Sequence, residues 1–268
     1  MKTAEPESAP VALITGASGG IGMELARVHA AHGHDLVLVA RREERLRELG
    51  EELGEAHGIR ATVVPADLAT AGGPENVYRR TQEAGIRVRY LVNNAGIGDF
   101  GPFAESDWQK QSDMIGINVT SLTRLTHLYL PDMVEAGRGR ILNVASTAAF
   151  VPGPLMSVYY ATKHYVLAFS ESLYTELRGD GVTVTALCPG PTRSGFQSTA
   201  EMQESGLFDY QVVAGAREVA EYGFKQMMKG RPVAIHGWAN KISMQAVRLS
   251  PRSVVRKMVH TMQKPRSQ

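Results

Sequence analysis

Seven short runs of apolar, mostly branched residues recur along the chain: Val11 to Thr15, Leu36 to Ala40, Ala61 to Val64, Tyr90 to Asn93, Arg140 to Ala145, Val182 to Leu187 and Val233 to His236. Each run is continuously apolar rather than alternating, and the chain between successive runs is long enough for a crossover helix. A strand with one wet face alternates, whereas a strand covered on both faces does not. The pattern predicts an α/β, Rossmann-type, doubly wound fold, a seven-stranded parallel sheet flanked by helices on both faces. Punctuation agrees: Gly33 follows a helical segment Met23 to His32, Pro74 opens one running toward Ala84, and Gly179 closes Tyr159 to Arg178.

There is no repeat, low-complexity tract or interdomain linker, so residues 1–268 are expected to form a single domain, with a Rossmann-fold body over 9–237 and an extension over 238–268. The longest stretch without periodicity, Pro189 to Gln211, predicts a loop over 190–211 that covers the site. In the extension, Trp238, Ile242, Ala246 and Leu249 recur at helical spacing, as do Val254, Val255, Met258, Val259 and Met262 after Pro251. Two short amphipathic helices are predicted.

Composition narrows the class. With 43% apolar and 21% charged residues, the 268-residue chain has the make-up of a folded globular protein. The net charge of +2 is too small to argue for nucleic acid, but it is unevenly placed: Lys241 to Gln268 holds seven Lys and Arg and no acid, leaving 22 bases against 27 acids before it. That basic tail has three readings beyond an ordinary packed helix: peripheral contact with an anionic membrane, a cover over the substrate pocket, or a subunit joint. The single cysteine, Cys188, cannot form an internal disulfide, Met1 to Pro10 lacks signal-peptide character, and no apolar run reaches membrane-spanning length. The expected location is cytoplasmic. Histidines such as His164 and His236 lack metal-ligand spacing, so no metal is expected.

After the first predicted strand comes Thr15-Gly16-Ala17-Ser18-Gly19-Gly20-Ile21-Gly22, followed by an amphipathic helix. Glycines let the backbone turn tightly and approach a pyrophosphate, and the N–H groups of a helix N-terminus attract negative charge. No Lys-Ser or Lys-Thr pair follows, which disfavours a triphosphatase loop. An NAD-specific site places an acid at the end of the second strand; here the strand ends Val39-Ala40-Arg41-Arg42. Two guanidiniums there suit an adenosine 2′-phosphate, so NADP(H) is expected in preference to NAD(H), with Arg41 the stronger of the two. The plainer alternative is that Glu43 and Glu44 neutralise both arginines at the surface.

Tyr159 and Lys163 stand four apart in a helical segment and so share a face. An adjacent ammonium favours the phenolate and lowers a tyrosine pKa toward the range useful for proton exchange. Ser146, just after the fifth strand, is placed to hydrogen-bond a carbonyl oxygen as negative charge grows on it.

In these residues the sequence resembles the classical short-chain dehydrogenase/reductase family, over about Ala9 to Thr192. The motifs are the Thr15 to Gly22 loop, Asp67-Leu68, Asn93-Asn94-Ala95-Gly96, Asn118, Ser146 thirteen residues before Tyr159, Lys163, and Pro189-Gly190 with Thr192. The resemblance implies a catalytic tetrad of Asn118, Ser146, Tyr159 and Lys163, with Asn118 holding a water in a proton relay through Lys163. It implies cofactor contacts from Gly16, Ser18, Gly19, Gly20, Ile21, Gly22, Arg41, Arg42, Asp67, Leu68, Asn94, Ala95, Gly96, Tyr159, Lys163, Pro189, Gly190 and Thr192. Ala40 stands where NAD-preferring members carry aspartate. Ala145 and Ala149 depart from the family's usual serine and glycine. Tyr160 also neighbours Lys163, but the spacings to Ser146 and Lys163 both select Tyr159.

The expected function is NADP-dependent hydride transfer between nicotinamide and a small-molecule carbonyl or alcohol, with Tyr159 as general acid and base. An NADP-binding redox sensor without turnover is the alternative. Phe100, Phe103, Phe150, Val151, Met156 and Tyr160, with Phe196, Met202, Leu207, Phe208 and Tyr210 on the long loop, suggest an apolar substrate, though they could equally pack the loop onto the body. Arg193 offers a polar contact to a carboxylate or an acyl-carrier phosphate, with a solvent-facing arginine as the plainer alternative. The resemblance further implies a homodimer or homotetramer joined through the helices of Asn118 and Tyr159.

Overall fold

The structure, a computed structural model, describes residues 9–194 and 213–263. Its main sheet has seven strands: β1 (Val11–Thr15), β2 (Asp35–Ala40), β3 (Ala61–Pro65), β4 (Val88–Asn93), β5 (Gly139–Val144), β6 (Val182–Cys188) and β9 (Val233–Ile235). All pairings are parallel, in the order β3-β2-β1-β4-β5-β6-β9. A second, two-stranded sheet pairs β7 (Thr192–Arg193) with β8 (Ala214–Gly215).

The continuous apolar runs have a direct cause. Successive strand residues point to opposite faces. Ala12, Ile14, Leu36 and Leu38 pack on one face beneath α1 (Gly20–Ala31), α2 (Glu43–His57) and α7 (Ala216–Met228), through Leu25, Leu46 and Val219. Leu13, Val37, Val39 and Leu91 pack on the other with Val77 of α3 (Gly73–Glu83) and Leu125, Tyr129 and Met133 of α5 (Leu122–Glu135). The remaining helices are α4 (Trp108–Ile115), α6 (Ser157–Glu176), α8 (Trp238–Leu249) and α9 (Arg252–Gln263). Between α4 and α5 the chain stays helical but widens to a π-helical segment over Gly116–Ser121.

From β1 the chain winds outward to β3, then crosses back to lay β4 on the opposite side of β1. That reversal opens a crevice at the carboxyl ends of β1 and β4, the place where parallel sheets of this kind receive ligands. At the far end of α1, buried His29 and His34 meet Nδ1 to Nδ1 at 2.9 Å, against Tyr90 and Phe224. Cys188, the last residue of β6, is wholly buried, and burial pushes its thiol up to about 12. Among the described residues no helix is long and apolar enough to cross a membrane, and no cluster of His, Cys, Asp and Glu is arranged to hold a metal.

Candidate active site

The glycine loop is built by close approach. Gly16 has φ +66°, and a Cβ there would stand 2.7 Å from Asn94 Nδ2 and 3.0 Å from Ala95 Cα. The loop after β4 is latched to it: the Asn94 and Ala95 N–H groups donate to Thr15 Oγ1 at 2.9 and 3.0 Å, and Asn94 Nδ2 donates to the Thr15 carbonyl at 2.9 Å. A Cβ on Gly22 would fall 2.3 Å from the Gly16 carbonyl oxygen, so only glycine lets α1 start against the loop. No side chain caps the first turn of α1, which leaves its N–H groups for an anion.

A cavity of about 1360 Å³ opens over this loop. Gly16, Ser18, Gly19, Gly20 and Ile21 line it, with Asn94, Ala95 and Gly96 after β4 and Pro189, Gly190 and Thr192 after β6. Gly190 is another enforced approach, since a Cβ there would meet Asn240 Nδ2 at 2.6 Å. Arg42 also lines the cavity; its Nη2 donates to the Ser18 carbonyl at 3.0 Å and to Ser18 Oγ at 3.1 Å. Arg41, the stronger expectation, is exposed and does not line the cavity, so the structure brings the second arginine rather than the first against the glycine loop. Asp67 and Leu68 follow β3 outside the cavity wall: the Asp67 carboxylate accepts the Ala69 N–H at 3.0 Å, and Leu68 is buried.

At the inner end, Ser146, Tyr159 and Lys163 converge on the cavity. Ser146 caps the short 3-10 helix Thr147–Phe150 that follows β5, its Oγ accepting the Ala148 N–H at 3.1 Å, and it hydrogen-bonds the Tyr159 phenol. Lys163 is buried, donates from Nζ to the Val144 carbonyl at 2.8 Å, and holds its ammonium 5.8 Å from the centre of the Tyr159 ring. Burial raises Tyr159 to about 12, more than the Ser146 hydrogen bond lowers it, and burial lowers Lys163 to about 8. The spacing argument expects Tyr159 depressed; here desolvation of the phenolate outweighs the Ser146 hydrogen bond that favours it.

Asn118 lies in the π-helical segment, not in a regular helix. Its Oδ1 accepts the Ile97 N–H at 3.0 Å, and its Nδ2 donates to the Ile97 carbonyl at 2.9 Å and to Thr162 Oγ1 at 3.0 Å. It thereby fixes the loop that carries Gly96 beside α6, where a Cβ on Gly96 would be 3.5 Å from Lys163 Nζ.

Val151, Met156 and Tyr160 line the cavity beyond Tyr159, with Phe100 packed behind them. Phe103 instead borders a separate apolar recess with Ile115 and Val119, and Phe150 packs among Leu122, Val166 and Leu167. Phe196, Met202, Leu207, Phe208 and Tyr210 lie outside the described residues. Composition gave no sign of Asn240, which lines the cavity from α8 while donating from Nδ2 to the His236 carbonyl at 2.8 Å. Nor did it reveal Gln263, whose Nε2 donates to the Tyr160 hydroxyl at 2.7 Å across 103 residues of chain. The repeat of Val255 and Val259 was the only sequence signal that α9 packs inward.

Known proteins resemble this chain in sequence and fold. The family described as short chain dehydrogenase matches residues 10–205. The chain is 36% identical over 184 residues to a very-long-chain 3-oxoacyl-CoA reductase of Anas platyrhynchos, covering 66% of this chain and 58% of that protein's length. It is 38% identical over 188 residues to sulfoacetaldehyde reductase 2 of Chromohalobacter salexigens, covering 69% and 74%. Among solved structures, a short-chain dehydrogenase from Sphingobium yanoikuyae in complex with NADPH superposes with a TM-score of 0.80 at 34% identity, covering 90% of this chain and 94% of that one. With its doubly wound sheet, its glycine loop at the reversal and most of its length matched, the chain belongs to the short-chain dehydrogenase family.

Proposed function

We propose that the protein is an NADP(H)-dependent oxidoreductase that interconverts an apolar ketone or aldehyde and its alcohol, with Tyr159 as general acid and base. The observation that carries this reading is the Ser146–Tyr159 hydrogen bond, with buried Lys163 beside it, in a cavity continuous with the glycine loop. The residues present suit a dinucleotide: Gly16, Gly20 and Gly190 bring bare backbone to the cavity wall at positions where a Cβ would collide with Asn94, Ser194 and Asn240, and α1 begins uncapped. The glycine loop would hold the pyrophosphate, Arg42 and Ser18 the adenosine phosphate, and Lys163 with Asn94 to Gly96 the nicotinamide ribose. When bound, the cofactor supplies or accepts the hydride.

The chain's own groups supply the proton and the charge. Ser146 steadies the substrate oxygen as negative charge develops on it. The Tyr159 phenol, kept protonated by its surroundings, donates its proton to that oxygen in reduction and takes it back in oxidation. Lys163 supplies a positive charge that steadies the phenolate left behind. Both polar groups of the Asn118 side chain are engaged by Ile97 and Thr162, so a water relay through this residue would use its main-chain carbonyl, in the π-helical turn where backbone partners shift.

The test follows the absorbance of reduced nicotinamide across a panel of carbonyl compounds with wild type, Tyr159→Phe and Tyr160→Phe. Turnover favouring NADPH that falls by about 10²–10⁴ in Tyr159→Phe, and survives in Tyr160→Phe, is expected. Activity that survives Tyr159→Phe overturns the assignment.

A further inference from the structure

The last two helices present two faces of opposite character. Inward, Val255 and Val259 join Val151, Met156 and Tyr160 in one buried cluster, and Gln263 is fixed on the Tyr160 hydroxyl. Outward, large apolar side chains face water: Trp238 is 77% exposed, Ile242 61% and Leu249 90% on α8, and Val254 56% and Met258 46% on α9. These intervals of four and eleven residues on α8, and of four on α9, set them in one stripe per helix. No residue of α8 is buried. Isolated exposed apolar residues are ordinary, but half of the large ones exposed in the described chain lie on these two short helices.

The stripes sit in a field of one sign. Arg248, Arg252, Arg256 and Lys257 are all exposed and make no ion pair among the described residues, while Lys241 lies 5.4 Å over the Tyr222 ring. From Lys241 to the end of the chain there is no Asp or Glu. The stripe also reaches the site, because Trp238, Val254 and Met258 are at once exposed and part of the cavity wall. Surface and chamber are therefore joined by one apolar path.

We propose that this face docks on an anionic lipid bilayer, and that the enzyme draws its carbonyl substrate from the membrane through the opening beside Trp238, Val254 and Met258. The occupant follows from complementarity: a bilayer with acidic headgroups offers negative charge to the four free cations and an apolar layer to the residues between them. This rests on the reading of an apolar substrate but is tested without turnover. The full-length protein, in a Trp108→Phe background so that Trp238 is the sole indole, is spun with vesicles of phosphatidylcholine alone or mixed with phosphatidylglycerol. Expected are pelleting and a blue shift of Trp238 emission with the mixed vesicles only, weakened about tenfold or more in Ile242→Ser/Leu249→Ser and in Arg248→Glu/Arg252→Glu, with NADPH binding retained. If these variants misfold, raised salt replaces the charge arm, and release at high ionic strength is expected. Protein that stays in solution with both vesicles, pellets equally with both, or instead self-associates through Ile242 and Leu249 overturns the proposal. Loss of turnover with vesicle binding intact would count against the catalytic reading alone.

Discussion

Lys163 is buried with its ammonium on the Val144 carbonyl, and its surroundings bring it down to about 8, while Tyr159 is held up to about 12. Under the proposed mechanism, reduction requires the phenol to carry its proton and the lysine its charge. Because the Lys163 value is lowered, that charge is complete at acidic pH and is lost as pH rises through about 8. The kcat/KM for carbonyl reduction should be level below that point and fall above it; a plateau extending to about pH 10, where an ordinary lysine titrates, would contradict this. A second prediction concerns Arg42, which reaches Ser18. Arg42→Ala should raise the KM for NADPH about ten- to a hundredfold, in line with loss of charged hydrogen bonds worth about 1.5–3 kcal/mol, and leave that for NADH nearly unchanged. Arg41→Ala should have the smaller effect. The sequence reading favoured Arg41, whereas the structure sets Arg42 against the glycine loop, because which guanidinium turns toward the loop depends on how the chain leaves β2 for α2.

At the level of elements, the strands were legible because each is buried on both faces, and a buried parallel strand writes itself as an unbroken apolar run. Their ends were less so: β4 begins at Val88, two residues before the expected start, because Val88 pairs with Val11. The π-helical turn at Asn118 went unread because its one trace is a step of five between buried Ile117 and Leu122, set between steps of three from Met114 and to Leu125. The tail's inward contact was hidden for another reason: Gln263 and Tyr160 meet only through tertiary packing. The α1 packing against α7 carries its own pH dependence. Burial lowers both His29 and His34, the latter to about 4. Their unfolded forms take up protons first, so this contribution is complete above about pH 6.5 and is lost as pH falls toward 4, by at most about 1.4 kcal/mol per pH unit for each histidine. The urea midpoint should therefore drop between neutral and mildly acidic pH, and less in a His34→Gln variant; identical profiles would refute this coupling.

For the molecule as a whole, the division of labour runs along the chain. The sheet and glycine loop are complete without α9, which walls the cavity through Val255, Met258 and Val259 at the end proposed to take the substrate. Removing residues 251–268 should leave NADPH binding intact and raise the KM for bulky apolar ketones about tenfold or more. Isothermal titration and steady-state kinetics on the truncated chain check the two halves of that statement. The stability cost should be several kcal/mol, since Val255 and Val259 each contribute about 1.5–3 kcal/mol by burial.

Cys188 is the chain's single thiol and is sealed at the end of the sixth strand, with its acidity suppressed. A thiol-specific dye can reach it only when the sheet parts, so labelling becomes a clock for opening of the native state. Under native conditions the label should accumulate at the opening-limited pace, and saturating NADPH should slow it by the factor that binding adds to stability.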